Sequence, residues 1–123
     1  MFLINPGDLF DKMTILIIKL EKVTSFKNKY IITEELNGLF TYIDSVVQLT
    51  SLTNYGVGLL PEYINKLFML NRIQWDLEDR VRIEKTWDAA KAARENNTKR
   101  VEVKNLINKL FNFPIEIKEY KND

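Results

Sequence analysis

Apolar and polar residues recur with helical spacing in four blocks of the chain. In residues 6–23, Leu9, Met13, Leu16, Leu20 and Val23 fall on one stripe. Phe10, Ile15 and Ile17 widen it, so this first helix is expected to be largely buried. In residues 30–52, Leu36, Leu39, Ile43, Val46 and Val47 share a face. In residues 61–84 the apolar centre is Leu67, Leu70, Leu77 and Val81. In residues 89–111 the stripe runs Ala89, Ala93, Asn96, Arg100, Val103, Ile107 and Leu110.

The punctuation between these blocks fits helix ends. "INPGDL" offers Asn5 as an N-cap, Pro6 at the first helical position and Asp8 where its charge meets the helix dipole. Ile4 and Leu9 are then placed as a hydrophobic staple. "TSFKNK" (24–29) reads as a polar connector and "TNYGVG" (53–58) as the clearest loop, with Pro61 opening the third helix. "KTWD" (85–88) predicts a tight connection capped by Thr86 or Asp88. "PIEIKEY" (114–120) alternates apolar with polar and reads as an extended tail. The pattern predicts an all-α fold: one domain over residues 1–123, an antiparallel four-helix bundle with a short extended C-terminal tail.

The same periodicity shows where polar residues break the apolar faces. Asn71, Trp75, Glu78 and Arg82 form a second stripe beside the apolar centre of the third helix, so Glu78 is the charge expected to look partly inward. Asp76, Asp79 and Arg80 fall on the solvent side. Asn96 and Arg100 interrupt the stripe of the fourth helix, and Lys12 and Lys19 lie within the broad apolar arc of the first. Buried charges need partners. One reading is a structural network, in which Glu78 pairs with Arg100 and the lysines reach out to water. The other is a small pocket in which Lys12, Lys19, Glu78, Arg82, Asn96 and Arg100 hold a phosphate or carboxylate, with Asp8 and Asp11 at its mouth.

Composition narrows the chemistry. The 123 residues contain no Cys and no His, which removes disulfides, thiol and His-based catalysis, and the usual zinc ligands. Eighteen basic and 17 acidic residues give a net charge of +1, a poor match to a protein that coats nucleic acid. The N-terminus does not read as a signal peptide, and "TILII" (14–18), bracketed by Lys12 and Lys19, is too short to span a bilayer. A cytoplasmic protein is expected. The abundance of Ile, Asn and Lys suggests an AT-rich bacterial or phage genome.

Several segments, in order, resemble a family of small helical bacterial and phage proteins that has no established activity. "PGDLFDKMTILIIKLEK" (6–22) is similar to that family's PGELLDK-TILEIK opening. "QWDLEDRVR" (74–82) is similar to its LW-IED-IR segment, "NNTKRVEVKNLINKL" (96–110) to its N-x-x-R…K-x-x-IN stretch, and "EIKEYK" (116–121) to its EEKSY tail. The resemblance implies that Asp11, Lys12, Trp75, Glu78, Asp79 and Arg100 occupy motif positions. The chain departs from the pattern with Asp8 and Ile17, where the family has Glu.

These features favour a binding or assembly module that docks to a protein partner or to itself. Exposed apolar residues on two faces of the first helix would support that reading; the aromatic residues Phe111, Phe113 and Tyr120 are expected to cover the bundle end, and would mark a partner surface if exposed. Two alternatives remain open. One is a protein that binds a small anion or nucleotide. The other is a Mg²⁺-dependent nucleotide pyrophosphohydrolase using Glu34, Glu35, Glu78 and Asp79, although the EExxE…ExxD pattern of such enzymes is missing. Trp75 and Trp87 are expected as core or interface anchors.

Overall fold

A computed structural model of the chain describes residues 5–49 and 54–113. Those residues form four helices: α1 (Pro6–Lys22), α2 (Phe26–Leu49), α3 (Asn54–Glu84) and α4 (Trp87–Leu110). The fold is all-α, with helices packed on one another. The tail at 114–120, and Ile4 of the expected staple, lie outside the described residues.

α1 begins as its sequence dictates. The Asn5 side chain accepts a hydrogen bond from the Asp8 N–H at 2.7 Å, and its amide donates to Asp8 Oδ2 at 2.7 Å. Pro6 fills the first turn, where a missing N–H costs nothing. Gly7 has a different task. A Cβ at this position would lie 2.5 Å from the Lys104 carbonyl oxygen, so only glycine lets α1 approach the α4 backbone this closely. The contact is fastened on both sides. The Gly7 N–H donates to Oδ1 of the fully buried Asn108 at 2.7 Å, and Lys104 Nζ stands 2.5 Å from Asp8 Oδ1.

α3 and α4 form the long hairpin of the molecule, and α1 packs against both. Among the described residues, the backbone of α2 comes close to α1 and to no other helix. The core therefore centres on α1, whose Leu9, Phe10, Met13 and Leu16 meet Leu36 and Ile43 of α2, Leu67 of α3, and Val103 and Ile107 of α4. Phe111 stacks on Phe10 with ring centroids 6.1 Å apart and covers that end of the core. Thr86 caps α4, accepting from the Ala89 N–H at 3.1 Å.

Two expectations are corrected. The segment read as a loop at 53–58 is helical from Asn54 onward, so Pro61 lies inside α3 and does not start it. Neither the glycines nor the proline force a break here. Every described glycine keeps a right-handed φ, and a proline inside a helix removes only its own donor and crowds one preceding carbonyl. α2 likewise starts at Phe26, inside the stretch read as a connector. α1 itself is largely buried, as expected, and carries no exposed large apolar side chain. Exposed large apolar side chains stand instead on α2 (Phe26, Tyr30, Ile31, Phe40), on α3 (Met69, Ile73, Ile83) and at Trp87, which is 67% exposed and no core anchor.

Candidate functional site

The polar groups that interrupt the apolar faces meet where α1, α3 and α4 converge. Asp11 of α1 is the anchor. It is 8% exposed, and its carboxylate accepts from Arg100 Nη2 at 2.9 and 3.2 Å and from Asn71 Nδ2 at 2.9 Å. Asn71 also donates to Thr14 Oγ1 at 2.7 Å, and that hydroxyl donates to the Asp11 carbonyl at 2.7 Å. Arg100 Nη1 donates to Asn97 Oδ1 at 2.8 Å, while its Nε is buried with no hydrogen-bond partner among the described residues. The guanidinium is thus held in one orientation by groups from α1 and α4. A charge this enclosed tolerates that position only because the opposite charge is fixed beside it.

A second chain of hydrogen bonds runs from α4 to α3. Asn96 Nδ2 donates to the Leu70 carbonyl and to Gln74 Oε1, both at 2.9 Å, and Gln74 Nε2 donates to Glu78 Oε1 at 2.7 Å. The two networks border a cleft of about 290 Å³. Ile15 and Trp75 give it an apolar floor, and Glu78, Asp79, Arg82 and Arg100 stand around it. Arg82 is ion-paired with Asp79. A second cleft of about 660 Å³ shares Gln74, Glu78 and Arg100 and adds Arg94, Asn97 and Thr98.

The expected polar set divides. Glu78, Arg82 and Arg100 line one cleft together with Asn71 and Trp75, but Glu78 and Arg82 are exposed, so Glu78 stands at the cleft rim and does not look inward as the helical spacing suggested. Asn96 is close by, spent on Leu70 and Gln74. Lys12 and Lys19 are not there. Lys12 is exposed and 3.4 Å from Glu35 of α2, and Lys19 is exposed. Arg100 pairs with Asp11 and not with Glu78, because α1 lies between α2 and the α3–α4 hairpin and turns Asp11 toward α4. Asp79 also lines the cleft and is half-buried, although spacing placed it on the solvent side.

Sequence reasoning placed Asp11 only at the mouth of a pocket, and it missed Thr14 and Gln74 altogether. A usable signal was present: Asp11, Thr14 and Ile18 share a helical face, and all three are buried. Among the described residues no group of three or more Asp or Glu side chains could hold a metal ion, and no helix is long and apolar enough to cross a membrane. Glu35, one of the four carboxylates considered for magnesium, is engaged with Lys12. No protein-family model, curated protein or solved structure matches the chain.

Proposed function

We propose that the protein is a small helical binding module that docks a protein partner through the cleft between α1, α3 and α4, receiving a basic side chain of that partner. One observation carries this reading. Asp11 and Arg100 neutralise each other, as do Asp79 and Arg82, while Glu78 has no ion pair among the described residues and stands beside an apolar floor. A guanidinium or ammonium on Trp75 and against Glu78 would complete the charge balance and cover the indole face. The Trp75 ring already has a cation near it, with Lys22 Nζ 5.9 Å from its centroid. The segments that resemble the small helical family place Trp75, Glu78, Asp79 and Arg100 around this same cleft, which supports a shared use of it.

The test uses Trp75 as its own reporter. The chain has two tryptophans, and Trp87→Phe leaves Trp75 as the sole indole, read by selective tryptophan excitation. Titration with a capped arginine peptide is expected to change its fluorescence saturably, with the change lost in Glu78→Gln and weakened by salt. An absent response, or one that Glu78→Gln leaves intact, overturns the reading.

A second reading is favoured by Arg94. It is exposed, borders the larger cleft beside Arg100, and has no ion pair among the described residues. A small anion such as phosphate would be held there. Inorganic phosphate should then raise the melting temperature of the wild type and not that of Arg94→Gln.

A further inference from the structure

α2 is the helix with the least company. It has 24 residues, and among the described residues its backbone comes close to α1 and to no other helix, with Ile32, Leu36, Leu39 and Ile43 turned to the core. A second seam runs along its free side: Phe26, Tyr30, Thr33, Asn37, Phe40 and Asp44, at alternating steps of four and three. That is the spacing by which one helix docks on another. Phe26 is 86% exposed, Tyr30 62% and Phe40 39%.

The charges of α2 also run against its own dipole. Lys27 and Lys29 occupy the first turn, which holds no acidic residue, and the last turn holds no basic one. Asp44 lies toward the C-terminal end, and neither it nor Lys27 has an ion pair among the described residues. In an isolated helix this arrangement is unfavourable at the N-terminal end. A second α2 laid antiparallel would bring the basic first turn beside Asp44 and the carbonyl-rich C-terminal half of its neighbour.

We infer that α2 is a homodimer interface, in which two copies of this chain pair their α2 helices antiparallel about a two-fold axis. The seam is self-complementary in that arrangement. Tyr30 meets Phe40 of the second copy, Thr33 meets its Asn37, and Lys27 reaches its Asp44, each contact occurring twice by symmetry. The aromatic pairs supply the apolar area, the central Thr–Asn pairs fix the register, and the Lys–Asp pairs fix the direction. With polar residues at half of its positions, the seam makes a reversible dimer and not a permanent one. The surface is separate from the cleft lined by Trp75, so the dimer would carry two such clefts.

Sedimentation velocity over a wide concentration range tests this on the full chain. The wild type is expected as a dissociating dimer. Tyr30→Glu should weaken it at least about tenfold, with helical content unchanged by circular dichroism. Lys27→Glu and Asp44→Lys should each weaken association, and the double swap Lys27→Glu/Asp44→Lys should restore it. Because the chain lacks native cysteine, direction can be read by crosslinking. Tyr30→Cys mixed with Phe40→Cys should form a disulfide-linked heterodimer on oxidation, and Tyr30→Cys alone should not. Three results overturn the inference: a wild type that stays monomeric at every concentration, a dimer indifferent to Tyr30→Glu, or efficient crosslinking of Tyr30→Cys to itself.

Discussion

Two arginine–carboxylate pairs tie α1 to the α3–α4 hairpin, and they differ chiefly in burial. Arg72 of α3 grips Glu21 near the C-terminal end of α1 with two hydrogen bonds of 2.7 and 3.0 Å, and both side chains are about half exposed. Arg100 of α4 grips Asp11 nearer the start of α1, with side-chain exposures of 16% and 11%. The outer pair has the better geometry, being bidentate through two nitrogens. The inner pair matters more, because water cannot replace either partner. Around Glu21 the solvent is ready to solvate whatever is freed. Around Asp11, Asn71 and Thr14 are already committed to the carboxylate and its turn, and a freed guanidinium would have to leave its place to find another partner.

The largest expected effect breaks the inner pair from one side. Asp11→Ala leaves Arg100 enclosed and uncompensated, and strands one Asn71 donor bond. The loss should be about 3 kcal/mol, the low end for a broken buried pair because Arg100 keeps some exposure. Urea denaturation gives the value. A loss comparable to that of an exposed pair would mean that Arg100 swings out to water, and the contrast between the two regions would collapse.

Removing both partners sharpens the same point. Asp11→Leu with Arg100→Met replaces the ions by apolar groups of similar length. It should recover most of the stability that Asp11→Ala loses, since the penalty lies in the unpaired charge and not in the missing attraction. A double variant as unstable as the single one would show instead that the hydrogen bonds from Asn71 and Asn97 hold the helices in place.

Gly7→Ala reaches the inner pair without touching a charge. The new methyl meets the Lys104 carbonyl, which belongs to backbone and cannot swing aside, so α1 must lift from α4. The cost should be about 1–3 kcal/mol, the range for overpacking a close contact. Its melting curve should move with that of Asp11→Ala and not with that of any Glu21 variant.

Much of this was legible in the chain. Asn5, Pro6 and Asp8 announce the start of α1 through local chemistry alone, and the stripe of α4 carries Asn96 and Arg100 at their true positions. The partner of Arg100 was not legible. α1 is apolar around most of its circumference, so periodicity fixes no unique rotation, and adjacent residues differ by about 100°. Lys12 and Asp11 therefore exchange roles according to what packs on either side: α2 draws Lys12 outward to Glu35, and α4 receives Asp11. The start of α3 was hidden for another reason. Gly56, Gly58 and Pro61 read locally as breakers, but their cost, about 1 kcal/mol for each glycine and about 3 kcal/mol for the proline, is outweighed in a helix that is anchored further along its length.

The smallest effect is that of Glu21→Gln, and it is best seen against pH. The Glu21 carboxyl lies below its ordinary range, first because Arg72 hydrogen-bonds to its charged form. Partial desolvation acts in the opposite direction, and the charges of Arg72 and Lys22 add to the lowering. A carboxyl held low in the folded state contributes stability above its unfolded pKa, and that contribution fades as the pH falls through the folded one. The wild type should therefore melt slightly above Glu21→Gln at neutral pH. The difference should shrink with added salt and vanish in acid, once the carboxyl is protonated in both folded and unfolded chains. A gap that grows as the pH falls would mean that the uncharged glutamine lacks something other than the ion pair, and the outer region would then need a packing account like the inner one.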